Sequence, residues 1–296
     1  MAINAKNMTN KELFYGHKAC GGCAASLTIR WTLKVFGERT IAVVPPNCMS
    51  TVGFIFPHMT FGCNAVIPPF AATAAVMSGI LAGAEAQGLE DYHVVGFAGD
   101  GGTADIGIQS LSGAIDRNDK ITYICYDNEA YMNTGIQKSG LTPYGMKTTN
   151  TPAGKNIHGS MSQKKNMFEI MAAHEITYAA TASVGYPEDM LKKLEKAKNA
   201  PGPSYIHVFA PCPTGWGTES DTTIEIGKEA VDCGLWYLAE YENDEFTLNK
   251  NPKEFSSVED YLKKQSRFSH LDEADVNEII SQRDIKWNKI RKNWVR

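Results

Sequence analysis

The chain has 296 residues, enough for one large domain or two small ones and for a sizeable buried core. Hydrophobic residues make up 43% and charged residues 21%, ordinary globular usage that excludes a disordered or fibrous chain. Its 29 basic and 33 acidic side chains leave a net charge of −4, so it has neither the basic field of a nucleic-acid binder nor a polybasic membrane patch.

Residues 1–20 contain no apolar run of the length a secretory signal needs, and a cytoplasmic protein is expected. Seven cysteines are an odd count for a disulfide framework; metal binding or reactive thiols fit better. The first motif is Cys20-Gly21-Gly22-Cys23, a C-x-x-C in a glycine-containing loop, and Cys48 follows 25 residues after Cys23. Cys212 lies later, at Pro211-Cys212-Pro213. Thiolates in such a set bind zinc or an iron–sulfur cluster. A zinc ribbon usually has a second C-x-x-C, which is missing here, and a thioredoxin-like redox site would need its motif at a helix start. Cluster, zinc and unconnected core cysteines all remain open on spacing alone. Cys63, Cys125 and Cys233 sit in apolar settings and read as buried small hydrophobes.

From Thr40 to Ala84, 45 consecutive residues carry no Lys, Arg, Asp or Glu. Prolines at 45, 46, 57, 68 and 69 interrupt every candidate membrane span. The segment reads as buried on two sides, against its own sheet and against a partner or cofactor. His93–Ala98 is a short apolar run expected to be a buried parallel strand, closing on Gly99-Asp100-Gly101-Gly102. Thr103–Ile115 then has helical spacing. Lys120–Asp127 is a second strand, closing on Asp127-Asn128-Glu129-Ala130. The amphipathic stretch Pro187–Asn199 predicts a helix, and Pro203–Ala210 a third strand. Strands alternating with helices predict an α/β fold: a parallel sheet with helices on both faces.

Residues 240–296 change character, with 11 basic and 12 acidic side chains among 57. The expected organisation is a cofactor-binding domain over 1–239 and a C-terminal helical arm over 240–296. Ser256 with Glu259 fits a capping box ahead of Val258, Tyr261 and Leu262. A second helix is expected from Glu273 to about Trp294, its apolar stripe being Val276, Ile279, Ile280, Ile290 and Trp294. The arm either packs on the core or embraces a partner subunit.

In parallel α/β sheets ligands bind beyond the carboxyl ends of strands. Glycines admit a phosphate, and a helix N-terminus supplies amide donors. Asp100 and the Asn128 side-chain oxygen, each just beyond a strand, could share one Mg2+, which prefers oxygens and bridges to diphosphates. Asp105 and Glu129 flank this set, as groups supporting the site or as helix caps and lysine partners. His17, His58, His158 and His174 read as structural or solvated, with His17 beside the cysteine motif. Trp216 reads as a packing residue shielding Cys212.

GDGG followed 28 residues later by Asn128 resembles the thiamine-diphosphate motif of thiamine-dependent enzymes. Together with Gly16–Cys23, Tyr126–Gln137 (YDNEAYMNTGIQ) and Cys212–Trp216 (CPTGW), it resembles the beta subunits of 2-oxoacid:ferredoxin oxidoreductases, the pyruvate branch above all. The resemblance implies a thiamine-diphosphate-binding fold and a subunit that takes part in converting pyruvate and coenzyme A to acetyl-CoA, CO2 and reduced ferredoxin, reversibly. It implies thiamine diphosphate, Mg2+ and one [4Fe–4S] cluster as cofactors. Cys20, Cys23, Cys48 and Cys212 match the cluster ligands. Asp100, Asn128 and the Ala130 carbonyl match the Mg2+ ligands, Gly99, Gly101 and Gly102 the diphosphate loop, and Asn133 the amide facing the substrate. Implied partners are an alpha subunit supplying the pyrimidine-side domain and its activating Glu, gamma and ferredoxin-like delta subunits, and ferredoxin. Two departures stand out: Ala24 replaces a usual Gly, and Pro46-Asn47 precede Cys48 where Thr-Gly is usual. They bear on the substrate, leaving a branched-chain 2-oxoacid or oxalate as alternatives. A thiamine-dependent decarboxylase or carboligase with structural zinc, and a cluster-binding electron-transfer subunit without thiamine, are the competing readings.

Overall fold

The computed structural model describes residues 4, 6–154 and 157–294. In chain order the strands are β1 (Thr40–Val43), β2 (Asn64–Val66), β3 (His93–Gly99), β4 (Thr122–Asp127), a short hairpin of β5 (Ala153–Gly154) and β6 (Ile157–His158), β7 (Tyr178–Ser183), β8 (Ser204–Phe209), β9 (Ala239–Glu242) and β10 (Glu245–Leu248). The helices are α1 (Ala24–Phe36), α2 (Cys48–Gly53), α3 (Thr73–Ala86), α4 (Asp100–Ala104), α5 (Ile108–Asp116), α6 (Met167–Ala172), α7 (Pro187–Asn199), α8 (Pro213–Trp216), α9 (Thr223–Asp232), α10 (Val258–Lys263) and α11 (Glu273–Trp294).

Eight strands form one mixed sheet in the order β10-β9-β7-β8-β4-β3-β1-β2. The six from β2 to β7 run parallel; β9 and β10 are antiparallel. Side chains alternate between faces, as the pleat requires. Val95, Phe97, Ile124 and Tyr126 pack with Ile29 and Leu33 of α1 and Leu194 of α7. Val94, Ala98, Tyr123 and Cys125 pack with Met77 of α3, Leu111 of α5 and Phe168 of α6. The parallel core with helices on both faces is the expected α/β architecture. The antiparallel edge was not anticipated: Asn243 and Asp244 both take positive φ, 53° and 60°, the two-residue turn that matches strand twist in a hairpin. Residue 240 therefore lies within a strand of the main sheet.

Two local expectations need correction. The helix expected over Thr103–Ile115 is two helices, α4 and α5, broken where Gly107 backs onto the Gly102 carbonyl; a Cβ there would lie 2.1 Å from that oxygen. The cap of α10 is Ser257, whose Oγ accepts from Asp260 N at 3.1 Å, one residue beyond Ser256. In the charge-free segment, Met77, Leu81 and Ala84 are buried in the chain's own core. Ile55, Phe56, Met59, Val66 and Ile67 are exposed, Phe56 by 95%. No helix among the described residues is long and apolar enough to cross a membrane.

The last helix belongs to the core. Trp287, Ile290 and Trp294 of α11 are buried, and Trp287 Nε1 donates to the Gly234 carbonyl at 2.7 Å. Trp294 stacks on Phe246 of β10 at 4.7 Å. Trp287 was missing from the expected stripe, which otherwise names the buried positions Ile279, Ile290 and Trp294. Replacing Trp287 by Ala removes this burial and leaves a carbonyl unpaired. Unfolding in urea is expected to show a loss of about 3–5 kcal/mol; a change below about 1 kcal/mol would mean that α11 contributes little to the core.

Candidate active site at the carboxyl ends of the central strands

β8, β4, β3 and β1 lie side by side. Their register pairs Gly99 with Tyr126 and Asp127 with Phe209, so Asp100, Asn128 and the Pro211-Cys212 step leave the sheet together. A cavity of about 220 Å3 opens at this edge. Gly99, Asp100, Gly101, Gly102, Asn128, Ala130 and Asn133 all line it, and so does Cys48.

Asp100 opens α4 and is 2% exposed. Its Oδ2 accepts from the Ser139 hydroxyl. Burial pushes the carboxyl well above the usual carboxylate range, with Asp127 next in weight. The inward terminus of the Asn128 amide lies 3.0 Å from the Ala130 carbonyl oxygen and 3.1 Å from Asp100 Oδ1. With Asn128 Oδ1 on that side, three acceptors face one another and no donor lies between. Oxygens so placed repel unless a cation joins them, and Mg2+ takes this kind of ligand set. A cation-free chain would turn the amide over, so that Nδ2 donates to both neighbours. The residues present therefore fit a hard cation.

A buried network holds this loop in place. Trp216 Nε1 donates to the Asn128 carbonyl at 2.9 Å, and the Arg267 guanidinium lies 3.5 Å over the Trp216 ring. Asp127 is fully buried; its Oδ2 accepts from Lys164 Nζ at 2.7 Å and pairs with His207 Nε2 at 3.0 Å, while Oδ1 accepts from Glu129 N at 2.9 Å. Glu129 takes φ of 69°, uncommon for a residue with a side chain. Thr142 donates to its carbonyl at 2.7 Å, and its carboxylate pairs with Lys164 and Arg267, both at 2.7 Å. Asp105 braces the cavity wall: Tyr131 OH and Gly140 N both donate to its Oδ2 at 2.9 Å, and Lys165 pairs with Oδ1 at 2.7 Å. Both flanking acids thus act as lysine partners. Gly101 lacks a side chain for a reason that the motif does not reveal: a Cβ would meet the Tyr131 ring at 2.3 Å.

The expected cysteines gather beside this cavity. Cys23 precedes α1, Cys48 opens α2 and Cys212 precedes α8. Burial pushes the Cys48 thiol up to about 12, with Cys212, Cys23 and Cys20 adding to it. Burial likewise raises Cys212 to about 11, reinforced by Cys23 and Cys20. The four thiols therefore share one electrostatic neighbourhood. Yet among the described residues the only His, Cys, Asp and Glu ligand atoms grouped within 4.8 Å are those of His158, Asp272 and Asp275. A tetrahedral zinc site with Zn–S bonds of about 2.3 Å would bring its sulfurs within about 3.8 Å of one another. Gly22 allows the C-x-x-C loop to dock: it takes φ of +71°, its carbonyl accepts from Thr223 Oγ1 at 2.6 Å, and a Cβ would lie 2.1 Å from the Ser220 carbonyl.

Asn47, directly before Cys48, caps α2 by accepting from Met49 N and Ser50 N at 2.8 and 3.0 Å. Its Nδ2 donates to the Phe97 carbonyl at 3.0 Å, tying the Cys48 turn to β3. Ala24 is a fully buried helix position. His17 stacks on Phe14 at 4.8 Å, His158 pairs with Asp275 at 2.6 Å and His174 contacts Ser112 at 2.9 Å, all outside the cavity lining. Cys125 and Cys233 are buried and Cys63 is half-buried. Sequence reasoning missed Tyr126. Its hydroxyl is buried with no hydrogen-bond partner, it lines the cavity, and Cys48 and Cys23 lie within electrostatic reach. It also missed Ser139 and Lys164; neither carries a spacing signal.

Residues 42–208 match the family described as thiamine pyrophosphate enzyme, C-terminal TPP binding domain. The chain is 49% identical to the pyruvate synthase subunit PorB of Methanothermobacter thermautotrophicus, over 93% of this chain and 96% of that one. It is 48% identical to the ketoisovalerate oxidoreductase subunit VorB of Pyrococcus horikoshii, over 95% of this chain and 93% of that one. Its fold resembles that of a 2-oxoglutarate:ferredoxin oxidoreductase from Magnetococcus marinus, with a TM-score of 0.59 at 22% identity over 70% of each chain. Identity at this level along nearly the whole chain decides the matter: the chain belongs to the 2-oxoacid:ferredoxin oxidoreductase family, as an enzyme subunit with a thiamine pyrophosphate binding domain.

Proposed function

We propose that this chain is the beta subunit of a pyruvate:ferredoxin oxidoreductase of the pyruvate synthase type, acting on pyruvate, coenzyme A and ferredoxin. The observation that carries the proposal is the convergence of the Asp100, Asn128 and Ala130 oxygens on the floor of a cavity that Cys48 also lines. A cation site alone would suit many thiamine enzymes; a cysteine set opening onto the same cavity suits one that passes electrons on.

In this reading Asp100 Oδ1, Asn128 Oδ1 and the Ala130 carbonyl hold Mg2+, and Gly99, Gly101 and Gly102 border the diphosphate. When bound, thiamine diphosphate supplies the electron sink for losing CO2, and a [4Fe–4S] cluster on Cys20, Cys23, Cys48 and Cys212 supplies one-electron transfer. Among the described residues no three of these thiols lie within 4.8 Å of one another, which favours a polynuclear cluster over a single zinc. Cys48 and Tyr126 both line the cavity, so a cluster held by Cys48 would border the thiamine site. Asn133, exposed at the rim, offers its amide to the substrate. The Asp127–Lys164–Glu129 network keeps the metal loop in shape while charge moves in the cavity.

Among the described residues that line the cavity there is no glutamate. That supports an activating Glu donated by an alpha subunit, and the exposed Ile55, Phe56, Met59, Val66 and Ile67 give such a partner apolar surface to cover. Gamma and ferredoxin-like delta subunits would complete the electron path. Similarity to VorB supports a second substrate reading, a branched-chain 2-oxoacid.

Two variants separate the cofactors. In complex purified without oxygen, Asp100→Ala is expected to lose thiamine diphosphate, by chromatographic analysis, and to keep the iron content of the unaltered complex, including the roughly four irons assigned to this chain. Cys48→Ser is expected to do the reverse. Iron lost together with thiamine in both variants would mean that the two sites are not separable as described; zinc in place of iron would leave a thiamine-dependent carboligase. Substrate choice is read from kcat/KM. Pyruvate is expected to exceed ketoisovalerate by at least about tenfold, a difference of about 1.4 kcal/mol in transition-state binding, and the opposite order would make this a branched-chain enzyme.

A further inference from the structure

A second cavity, of about 370 Å3, lies on the far side of the metal loop. It shares no lining residue with the first. Its walls come from the segment after β4, from α10 and from α11. Phe209, Leu262, Phe268 and Ile279 make an apolar floor. Five cations also line it, Lys164, Arg267, Arg283, Lys286 and Lys289, against two acids, Glu129 and Glu169. That balance is the reverse of the chain's net charge of −4.

Both acids are already engaged. Glu129 pairs with Lys164 and Arg267, and Glu169 with Lys289 at 2.7 Å. Lys286 is left over. Among the described residues its ammonium has no hydrogen-bond or ion-pair partner and lies 4.4 Å from the Tyr237 ring centroid. Burial pushes it down to about 8, with Lys164 next in weight. The acid that counters it, Glu169, is already paired with Lys289, so this half-buried ammonium has charge to spare for an added anion.

We propose that this cavity is a binding site for a small carboxylate with an apolar body, separate from the active site. The carboxylate is taken by Lys286, with Lys289 at the mouth, and the body lies on Leu262, Phe268 and Ile279. Lys164 ties the site to the metal loop, because the same ammonium that borders this cavity holds Asp127 and Glu129 on either side of Asn128.

The test is calorimetric titration of 4-phenylbutyrate into the assembled, anaerobically purified complex. Saturable binding at one site per copy of this chain is expected, retained in excess pyruvate and absent for the neutral 4-phenylbutyramide. Lys286→Met should weaken it by at least about tenfold, the loss of one charge-assisted hydrogen bond, while Lys286→Arg binds and both variants turn over pyruvate as before. Lys289→Glu, at a side chain 60% exposed, changes the charge at the mouth without touching the core and should also weaken binding. No saturable heat, equal affinity in Lys286→Met, or displacement by pyruvate would overturn the proposal. Because the readout is binding, a failure here leaves the cofactor assignments standing, and a failure of those assignments leaves this site standing.

Discussion

Three oxygens that repel one another are held in place by everything around them. Asp100 Oδ1, Asn128 Oδ1 and the Ala130 carbonyl cannot sit together in a cation-free pocket without cost, so the chain must supply rigidity before any ligand arrives. It does so from three directions. Ser139 holds the second oxygen of Asp100, Trp216 holds the Asn128 carbonyl, and Asp127 fixes the backbone of Glu129. Each brace is itself held: Arg267 covers Trp216, while Lys164 and His207 neutralise and orient Asp127. The positive φ of Glu129 is tolerated because its carbonyl, amide and carboxylate are all engaged.

The parts of this arrangement legible in the sequence are those with a strict local signature. Buried parallel strands are short apolar runs closed by a turn residue, Gly99 for β3, Asp127 for β4 and Pro211 just after β8, so these three could be placed nearly to the residue, and the amphipathic α7 to its ends. Asp100 and Asn128 were legible because each stands directly after a strand, β3 and β4. What stayed hidden depends on distance in space. Ser139, Lys164 and Arg267 sit 39, 35 and 138 residues from Asp100, Glu129 and Glu129, their respective partners. No periodicity announces such contacts. The role of Gly101 was legible only in part: a phosphate loop needs a bare backbone, but here the Tyr131 ring already demands it.

The hairpin of β9 and β10 was overlooked because its strands are charged. Ala239-Glu240-Tyr241-Glu242 (β9) alternates faces between β7 and the edge strand β10, with Glu240 answered by Lys196, Tyr178 and Asn249. Charged residues on an edge discourage further strand addition. Composition therefore marked the region as different, while its fold continues the sheet. The uncharged run from Thr40 to Ala84 is the opposite case: its composition is uniform but its surroundings are not. Met77 meets the chain's own sheet, while Phe56 faces outward almost entirely.

Lys164 stands between two cavities of opposite demand. Behind the metal loop it holds Asp127 and Glu129, and so tempers the negative charge gathered there. Toward the second it adds to a cationic wall that carries Lys286, whose countering acid Glu169 is already paired with Lys289. In a low-dielectric interior one ammonium cannot serve both sides at full strength, since every anion drawn near it weakens its hold on the others. The fold places its cofactor loop and its surplus positive charge on either side of a single side chain, so the acids that flank Asn128 are held by an ammonium that also borders the second cavity.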